Sequence, residues 1–582
     1  MKKMKQNPIW LPIVIGLVIS TLITLVIDYL IPTPWNFHSE GTWIKLFFVF
    51  LIYNISNVIT TMLMLDKNVI KRYEFYFNLP LLFSFIMIPA FIICLLSGVQ
   101  IFNAENYANI IQVEQVESGD AIISEKDAES IALMDTSSAK QLGDREIGAI
   151  ENFSAFNVSE EYIQLNINED AVKIAPLEYI GLFKWMSNRE EGVTGYVSVS
   201  PTTMTADYVK LEECMKYIPS AYFNEDLNRH LHYQFPTVIY GNYHFEVDED
   251  GKPYYVSSVF EKTIGVFGGE IVVGAIITDP VTGDSEYYDV ADIPQWVDYV
   301  FPGDLICSLY DVAYKNINGF WNGTSFGANT GCMQTTKIES FYEEDGEVYI
   351  EAGTDYGYIA KDGDIYVYTG VTSMAADSSN LGFIMVNERT GQYKYFAVSS
   401  ANEQSAMNAA MGEVQQYGYV ASFPTLINVD NELSYIGVLK DNSGLVKMYY
   451  MVNVKDYGKV VVADSRDACV QKYADKLGLN VNEDIIGNVP EEKPPVEATS
   501  VEFVISVIQY VDVDGNTYVY MGTADGKVYK ALFKDNEQLL FAKAGDIVKG
   551  SELDGKLSVT GILRTDSNGV VTEVFSIPEK TE

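Results

Sequence analysis

Three long apolar runs in the first hundred residues constrain this chain more than anything after them. They are Ile9–Ile31, Thr42–Leu65 and Tyr76–Gly98. Each reaches the roughly 20 residues with which an α-helix crosses about 30 Å of hydrocarbon. None leaves the polar face that a soluble helix shows to water. Three transmembrane helices are therefore expected, in an anchor over residues 1–100. The first run is too long for the apolar part of a signal peptide, and no small-residue cleavage site follows Ile31, so it reads as a retained span.

Basic residues flanking the spans set the orientation. Lys2, Lys3 and Lys5 precede the first span, and Lys67, Lys71 and Arg72 lie between the second and third. The loop PTPWNFHSEGT between the first two has neither Lys nor Arg. The expectation is a cell-membrane protein with a cytoplasmic N-terminus and an extracellular body after Gly98. Lys45, just inside span two, is expected to snorkel to the interface. Asp28, near the outer end of span one, is expected to reach water there, since a buried ion site would need a polar partner at that depth. Asn54, Ser56, Asn57, Thr60 and Thr61 in span two suit hydrogen bonds between helices.

The chain has 39 basic and 79 acidic residues. Seven basic and four acidic ones fall in residues 1–100, which leaves the body with 32 and 75, a net of −43. Such a surface repels phosphate backbones and argues against nucleic acid as a partner. It suits cationic peptides or weak binding of divalent ions. Cys214, Cys307, Cys332 and Cys469 are widely spaced with no CxxC, so sequence cannot choose among three pairings. A body this long can build a core without disulfides.

Beyond the anchor the chain reads as strands rich in Val, Ile, Tyr and Phe, punctuated by Asp-Gly pairs such as Asp250-Gly251, Asp345-Gly346 and Asp362-Gly363. Asp-Gly supplies the positive φ angles of tight hairpins. Helices are expected at 135–150, 176–188, 224–233, 293–300, 403–416 and 467–477. A duplication organises the rest. GYVSVSPTTMTADYV starts at Gly195 and GFIMVNERTGQYKYF at Gly382; each leads through a helical stretch to Phe-Pro-Thr, at Phe235 and Phe423. Two related α+β modules follow from this, each read as one antiparallel sheet backed by a helix.

The expected fold is thus multi-domain: N-terminal transmembrane α-helices, then tandem α+β modules of mostly antiparallel β, then a small all-β barrel. The boundaries are an anchor at 1–100, a juxtamembrane segment at 101–159, module 1 at 160–305, a Gly-rich connection at 306–339, module 2 at 340–488, a Pro/Glu linker at 489–499 and an OB-like or SH3-like barrel at 500–582. The barrel segment carries 8 basic and 13 acidic residues, again unsuited to nucleic acid.

Catalytic motifs fail in their contexts. GTSFG at Gly323–Gly327 has the hydrolase GxSxG spacing, but it sits in a Gly-rich loop, and His38, His230, His232 and His244 all precede Ser325. His230 and His232 would diverge on a helix and could chelate only on a strand. Cys307 or Cys332 has no spacing to a histidine that suggests a thiol dyad. The DxDG runs at Asp248 and Asp512 resemble calcium-loop openings, but the twelfth positions are Val259 and Thr523, which cannot ligate. No catalytic, cofactor-binding or metal residue is therefore assigned, no cofactor is expected, and a non-enzymatic role is favoured.

The repeated helix-and-sheet unit resembles PepSY-type envelope modules. The run APLEYIGLFKWMSNREEGVTGYV (Ala175–Val197) and the Phe-Pro-Thr hairpins are similar to a group of uncharacterised firmicute membrane proteins, some carrying a CvpA-like label that concerns only the first hundred residues. PepSY modules are associated with restraining or assisting exported proteases and with envelope regulation. The resemblance implies a membrane-anchored binding or scaffold protein of the cell envelope, regulating an exported protease or wall enzyme, with another envelope protein or a wall component as partner. The alternatives are an exported hydrolase acting on peptidoglycan or peptides, and an accessory subunit of an export or transport complex.

Overall fold

A computed structural model describes residues 8–65, 67–116, 136–146, 153–167, 170–201, 203–344, 347–398, 400–430, 432–441, 444–479, 499–513, 516–524, 526–533, 536–553, 556–565 and 571–576. The chain divides into two units, Met1–Gly487 and Asn488–Glu582.

The anchor comprises α1 (Trp10–Leu30), α2 (Glu40–Met64) and α3 (Lys67–Ser97). In hydrocarbon every backbone polar group must be satisfied within the segment, which these apolar runs achieve as helices. Among the described residues α1 and α2 are each long and apolar enough to cross a membrane. The third candidate is Leu81–Ser97 joined to α4 (Gln100–Ala108) across a bend of 41°. The α1–α2 seam is made of small and polar residues. Pro12, Gly16 and Ser20 of α1 are buried, as are Asn54, Asn57, Thr60 and Thr61 of α2. Thr60 Oγ1 donates to Pro12 O at 2.9 Å. A Cβ on Gly16 would lie 3.0 Å from Asn57 Cα, so a larger residue would push the helices apart by a few tenths of an ångström.

β1 (Val113–Val116) and α5 (Thr136–Glu146) lead into the first repeat. Strands β2 (Phe156–Val158), β3 (Ile163–Ile167), β4 (Asp170–Tyr179), β5 (Val193–Ser200) and β6 (Thr205–Met215) form one antiparallel sheet, with α6 (Leu182–Asn188) between β4 and β5. After α7 (Leu227–Gln234) a second sheet follows in the order of the chain: β7 (Ile239–Val247), β8 (Pro253–Ile264), β9 (Gly268–Thr278) and β10 (Ser285–Asp289). Leu227 and Leu231 of α7 join Val197 of the first sheet and Phe245, Val259 and Ile276 of the second in one core. Full burial of each such side chain contributes about 1.5–3 kcal/mol.

A buried helix, α8 (Gly303–Lys315), then precedes β11 (Met333–Thr335), β12 (Lys337–Glu344), β13 (Glu347–Thr354), β14 (Gly357–Lys361), β15 (Asp364–Ser373), β16 (Ala376–Asn387), β17 (Tyr393–Phe396) and β18 (Ser400–Ala401). β1 adds to β17 in parallel, while β14 to β17 pair antiparallel in succession. After α9 (Glu403–Glu413) come β19 (Val420–Ala421), β20 (Thr425–Val429), β21 (Glu432–Lys440), β22 (Val446–Asn453), β23 (Val460–Ala463) and α10 (Arg466–Leu477). Thus β3–β6, a helix and β7–β10 recur as β14–β17, a helix and β20–β23, with every neighbouring pair antiparallel. The repeats each hold two sheets, not the single sheet read from sequence. The connecting helix packs on both, because one sheet face cannot cover itself.

A recurrent pair marks these sheets. Gly195 lies under the ring of Tyr208, Gly274 under Tyr287, Gly382 under Tyr395 and Gly437 under Tyr450, each pair thirteen positions apart. An added Cβ on Gly382 would come 2.6 Å from the Tyr395 ring. Glycine leaves the space, and the cross-strand tyrosine fills it.

The turn at Asp362-Gly363 has φ of 53° and 81°, as a two-residue type I′ hairpin demands. Other expectations need correction. Residues 293–300 hold no helix; Ile293, Val297 and Val300 are buried as an irregular segment against the β8–β9 face. Residues 176–179 belong to β4, so the helix read from 176 begins only at Leu182. The Gly-rich connection contains most of α8.

In the second unit, β24 (Thr499–Val504), β28 (Ile547–Leu553), β29 (Lys556–Thr565) and β30 (Val571–Ser576) form one sheet, and β25 (Val507–Val513), β26 (Asn516–Gly522) and β27 (Val528–Leu532) another. They share a core around Phe503, Val519, Tyr529 and Val548, and no closed sheet joins them among the described strands. Nearly all of the linker at 489–499 lies outside the described residues.

Candidate functional site

A cavity of about 1080 Å³ opens between the two sheets of the first repeat and the start of α8. Glu160, Glu161 and Tyr162 reach it from the β2–β3 connection, Glu178 from β4, Tyr243 and His244 from β7, Tyr255 from β8, Glu270 from β9 and Asp304 from α8. Its described lining contains five carboxylates and no lysine or arginine. Two of the five have cationic partners: Glu160 accepts from Lys140 at 2.7 Å, and Glu270 accepts from Lys262. Burial and the neighbouring Glu178 raise the Glu161 carboxyl above its ordinary range. Aromatic faces together with Glu161, Glu178 and Asp304, for which no ion pair is described, favour a bound cation.

His244 forms part of the wall at 6% exposure, with no hydrogen-bond partner for either ring nitrogen among the described residues. Its ring centre lies 3.8 Å from that of Tyr299 with the planes tilted by 49°, and burial lowers its pKa to about 3, so it stays neutral. Alternation along β7 puts Glu246 on the same face. Glu246 accepts from the backbone N–H of Asp298 at 2.9 Å and of Tyr299 at 3.2 Å, and burial pushes its carboxyl up to about 8. Asp298 accepts from Asn166 N at 2.6 Å, and burial first, then the nearness of Glu246, raises it well above its usual range. Glu388, fully buried, is raised by burial, Asp298 and Glu246, and opposed by Lys173. In all three carboxyls the main cause is burial, which disfavours the charged form.

A second polar cluster fastens the body to the anchor. Lys45 Nζ donates to Asp28 Oδ1 at 2.5 Å and to Thr33 O at 2.7 Å, and it lies 4.3 Å from the centre of the Trp35 ring. His232 Nε2 lies 3.2 Å from Asp28 Oδ2. All three residues are buried, so neither Asp28 nor Lys45 reaches water as expected from sequence. Lys45 meets Asp28 where α2 packs on α1, and His232 joins them where α7 meets the ends of both helices. Arg229 Nε donates to Tyr29 O at 2.7 Å, Trp35 N to Pro236 O at 2.7 Å, and Val266 N to Ser97 Oγ at 3.0 Å. The α1–α2 loop and the first repeat therefore lie on the same side of the anchor.

The remaining sequence candidates separate. His230 is on α7 and bonds Gly283 O at 2.7 Å, turned away from His232. His38 bonds Val266 O at 2.9 Å. Ser325 lies in the turns after α8, and none of the four histidines bonds there. The cysteines are free; burial raises the thiols of Cys214, Cys307 and Cys332, and pushes Cys469 up to about 12. A protonated thiol is a poor nucleophile. Asp248 Oδ1 accepts from Asp250 N and Lys252 N, closing a turn. Among the described residues no three His, Cys, Asp or Glu side chains are grouped to hold a metal. Sequence reading missed the cavity because its carboxylates come from four separated segments with no shared spacing.

No family model matches the chain, and no curated protein matches it. Among solved structures it is similar to a levansucrase variant from B. megaterium at 10% identity, over 77% of this chain and 96% of that one, with a TM-score of 0.17. A likeness at that score carries no argument about fold or activity.

Proposed function

We propose that this is a membrane-anchored extracytoplasmic binding protein of the bacterial cell envelope, and that the cavity of its first repeat takes a cationic group of a partner protein or wall component. The supporting observation is the lining: carboxylates and tyrosine faces around unpartnered His244, with no basic residue among the described ones. In this reading the bent α3–α4 pair is a third span, the lysine-bearing ends face the cytoplasm, and the two sheets of the second unit are the halves of a small OB-like or SH3-like barrel. The PepSY-like repeats then act on an exported protease or wall enzyme by holding it, without chemistry of their own.

The test uses the full chain in lipid nanodiscs with a pentalysine peptide and its side-chain-acetylated counterpart. Pentalysine is expected to bind and the acetylated peptide to bind at least about tenfold more weakly, a loss of about 1.4 kcal/mol. Glu161→Gln with Glu178→Gln should remove that preference. Equal binding of both peptides, or an unchanged preference in the double variant, overturns the site. Sidedness is tested separately at exposed Tyr457: Tyr457→Cys should react with an impermeant maleimide in intact cells, and reaction only after lysis overturns the extracytoplasmic placement.

A further inference from the structure

The first repeat shows an apolar edge beside the end of α1. On α6, Trp185 turns into the core, while Phe183 and Met186 are 81% and 55% exposed. They are three positions apart and share a helix face. Trp185 packs at 5.6 Å on the ring of Phe223, which is 54% exposed and has φ of +56°. A bulky residue in the left-handed region is strained, and the surroundings must hold it there. Arg229 does so by donating from Nη1 to Phe223 O. The same Arg229 binds Tyr29 O, and the next residue, Asn224, accepts from Tyr29 Oη at 3.1 Å. The apolar edge is thus bonded directly to the last turn of a helix long enough to cross a membrane. Tyr29 sits where interfacial aromatics gather.

We propose that Phe183, Met186 and Phe223 enter the headgroup region of the bilayer beside α1, so that the first repeat rests on the membrane rather than standing off from it. This needs α1 to cross the membrane, but it does not need the cavity to bind a cation or the body to be extracytoplasmic. Continuity with Tyr29 selects lipid as the occupant. Exposed aromatic and thioether side chains gain by leaving water for the interface, as on interfacial helices.

The test uses the full chain with Cys94→Ala and Cys214→Ser, one chain per nanodisc, carrying Phe183→Cys labelled with an environment-sensitive fluorophore. Met186→Cys is a second site should the first variant fold poorly. Lipids spin-labelled at the headgroup should quench either label at least about twofold more than a label at Tyr457→Cys in the second repeat. Quenching no greater than at Tyr457 overturns the proposal. A label at Leu22→Cys, within α1, should be quenched by lipids spin-labelled in mid-chain. If it is not, α1 itself does not cross, a failure distinct from that of the resting edge.

Discussion

The two repeats have one strand order and two uses. Both connecting helices start with the same device: Asp226 Oδ1 accepts from Arg229 N at 2.8 Å, and Asn402 Oδ1 accepts from Ser405 N at 2.9 Å. Both reach the same Phe-Pro-Thr. In the first repeat those residues face the anchor, with Pro236 O and Thr237 O accepting from Trp35 N and Asn36 Nδ2. In the second, Phe423 packs 6.3 Å from the Tyr368 ring, and Ser422 O accepts from Tyr450 Oη. α7 sends His232 toward Asp28, whereas α9 buries Glu403 against Asn380. The second repeat carries a cavity of about 250 Å³ that includes Lys361 and Lys394, against 1080 Å³ with no described basic residue in the first. The repeated scaffold keeps its caps and strand pairing while the side chains that its helices and hairpins bring to their neighbours diverge.

The largest test of that contrast is at the junction that His232 of the first repeat makes with the anchor pair Asp28 and Lys45. Asp28→Ala leaves Lys45 buried without its carboxylate and should cost about 3–5 kcal/mol. Replacing both, Asp28→Leu with Lys45→Met, should recover most of it. Equilibrium unfolding in detergent measures both, and a neutral single variant would remove the junction from the stability of the chain.

A smaller effect should be equal in the two repeats. Gly195→Ala and Gly382→Ala each push a methyl group into a tyrosine ring and a facing carbonyl. Each should cost about 1–3 kcal/mol. A loss at one site and none at the other would show that the shared strand order hides different packing.

The gentlest effect is on a slope. The folded chain keeps a proton on Glu246 that the unfolded chain releases above about pH 4.5, so stability falls as pH rises from there to about 8. One such proton gives about 1.4 kcal/mol per pH unit. Glu246→Gln should flatten the unfolding free energy by that amount across this window. His244 acts oppositely, adding stability as pH rises from about 3 to about 6.5. An unchanged slope in the variant would mean that Glu246 is charged in the folded chain.

Much of the fold was legible because it rests on local rules. Apolar length marked α1 and α2, Asp-Gly marked the turn after β14, and the repeated Gly-to-Phe spacing marked both copies. The errors have equally local causes. Ile293, Val297 and Val300 have helical spacing, yet Pro294 and the docking of this segment on β8 and β9 leave it irregular. α8 was hidden beside a Gly-rich stretch. The Gly–Tyr pairs could have been found by scanning for a thirteen-residue offset. The cavity and the Asp28 cluster could not, since their members are up to 204 positions apart.

By itself the sequence determined where the chain is apolar enough for lipid, where it turns, and that one pattern of strands occurs twice. These depend on residues within a few positions of each other, and backbone geometry reads such patterns directly. Only the tertiary structure decided that Asp28 is buried against Lys45 and His232, that carboxylates from four separated segments face one space, and that Glu246, Asp298 and Glu388 are buried close enough to influence one another. The energy of a charge depends on what surrounds it in three dimensions, and no spacing along the chain encodes that.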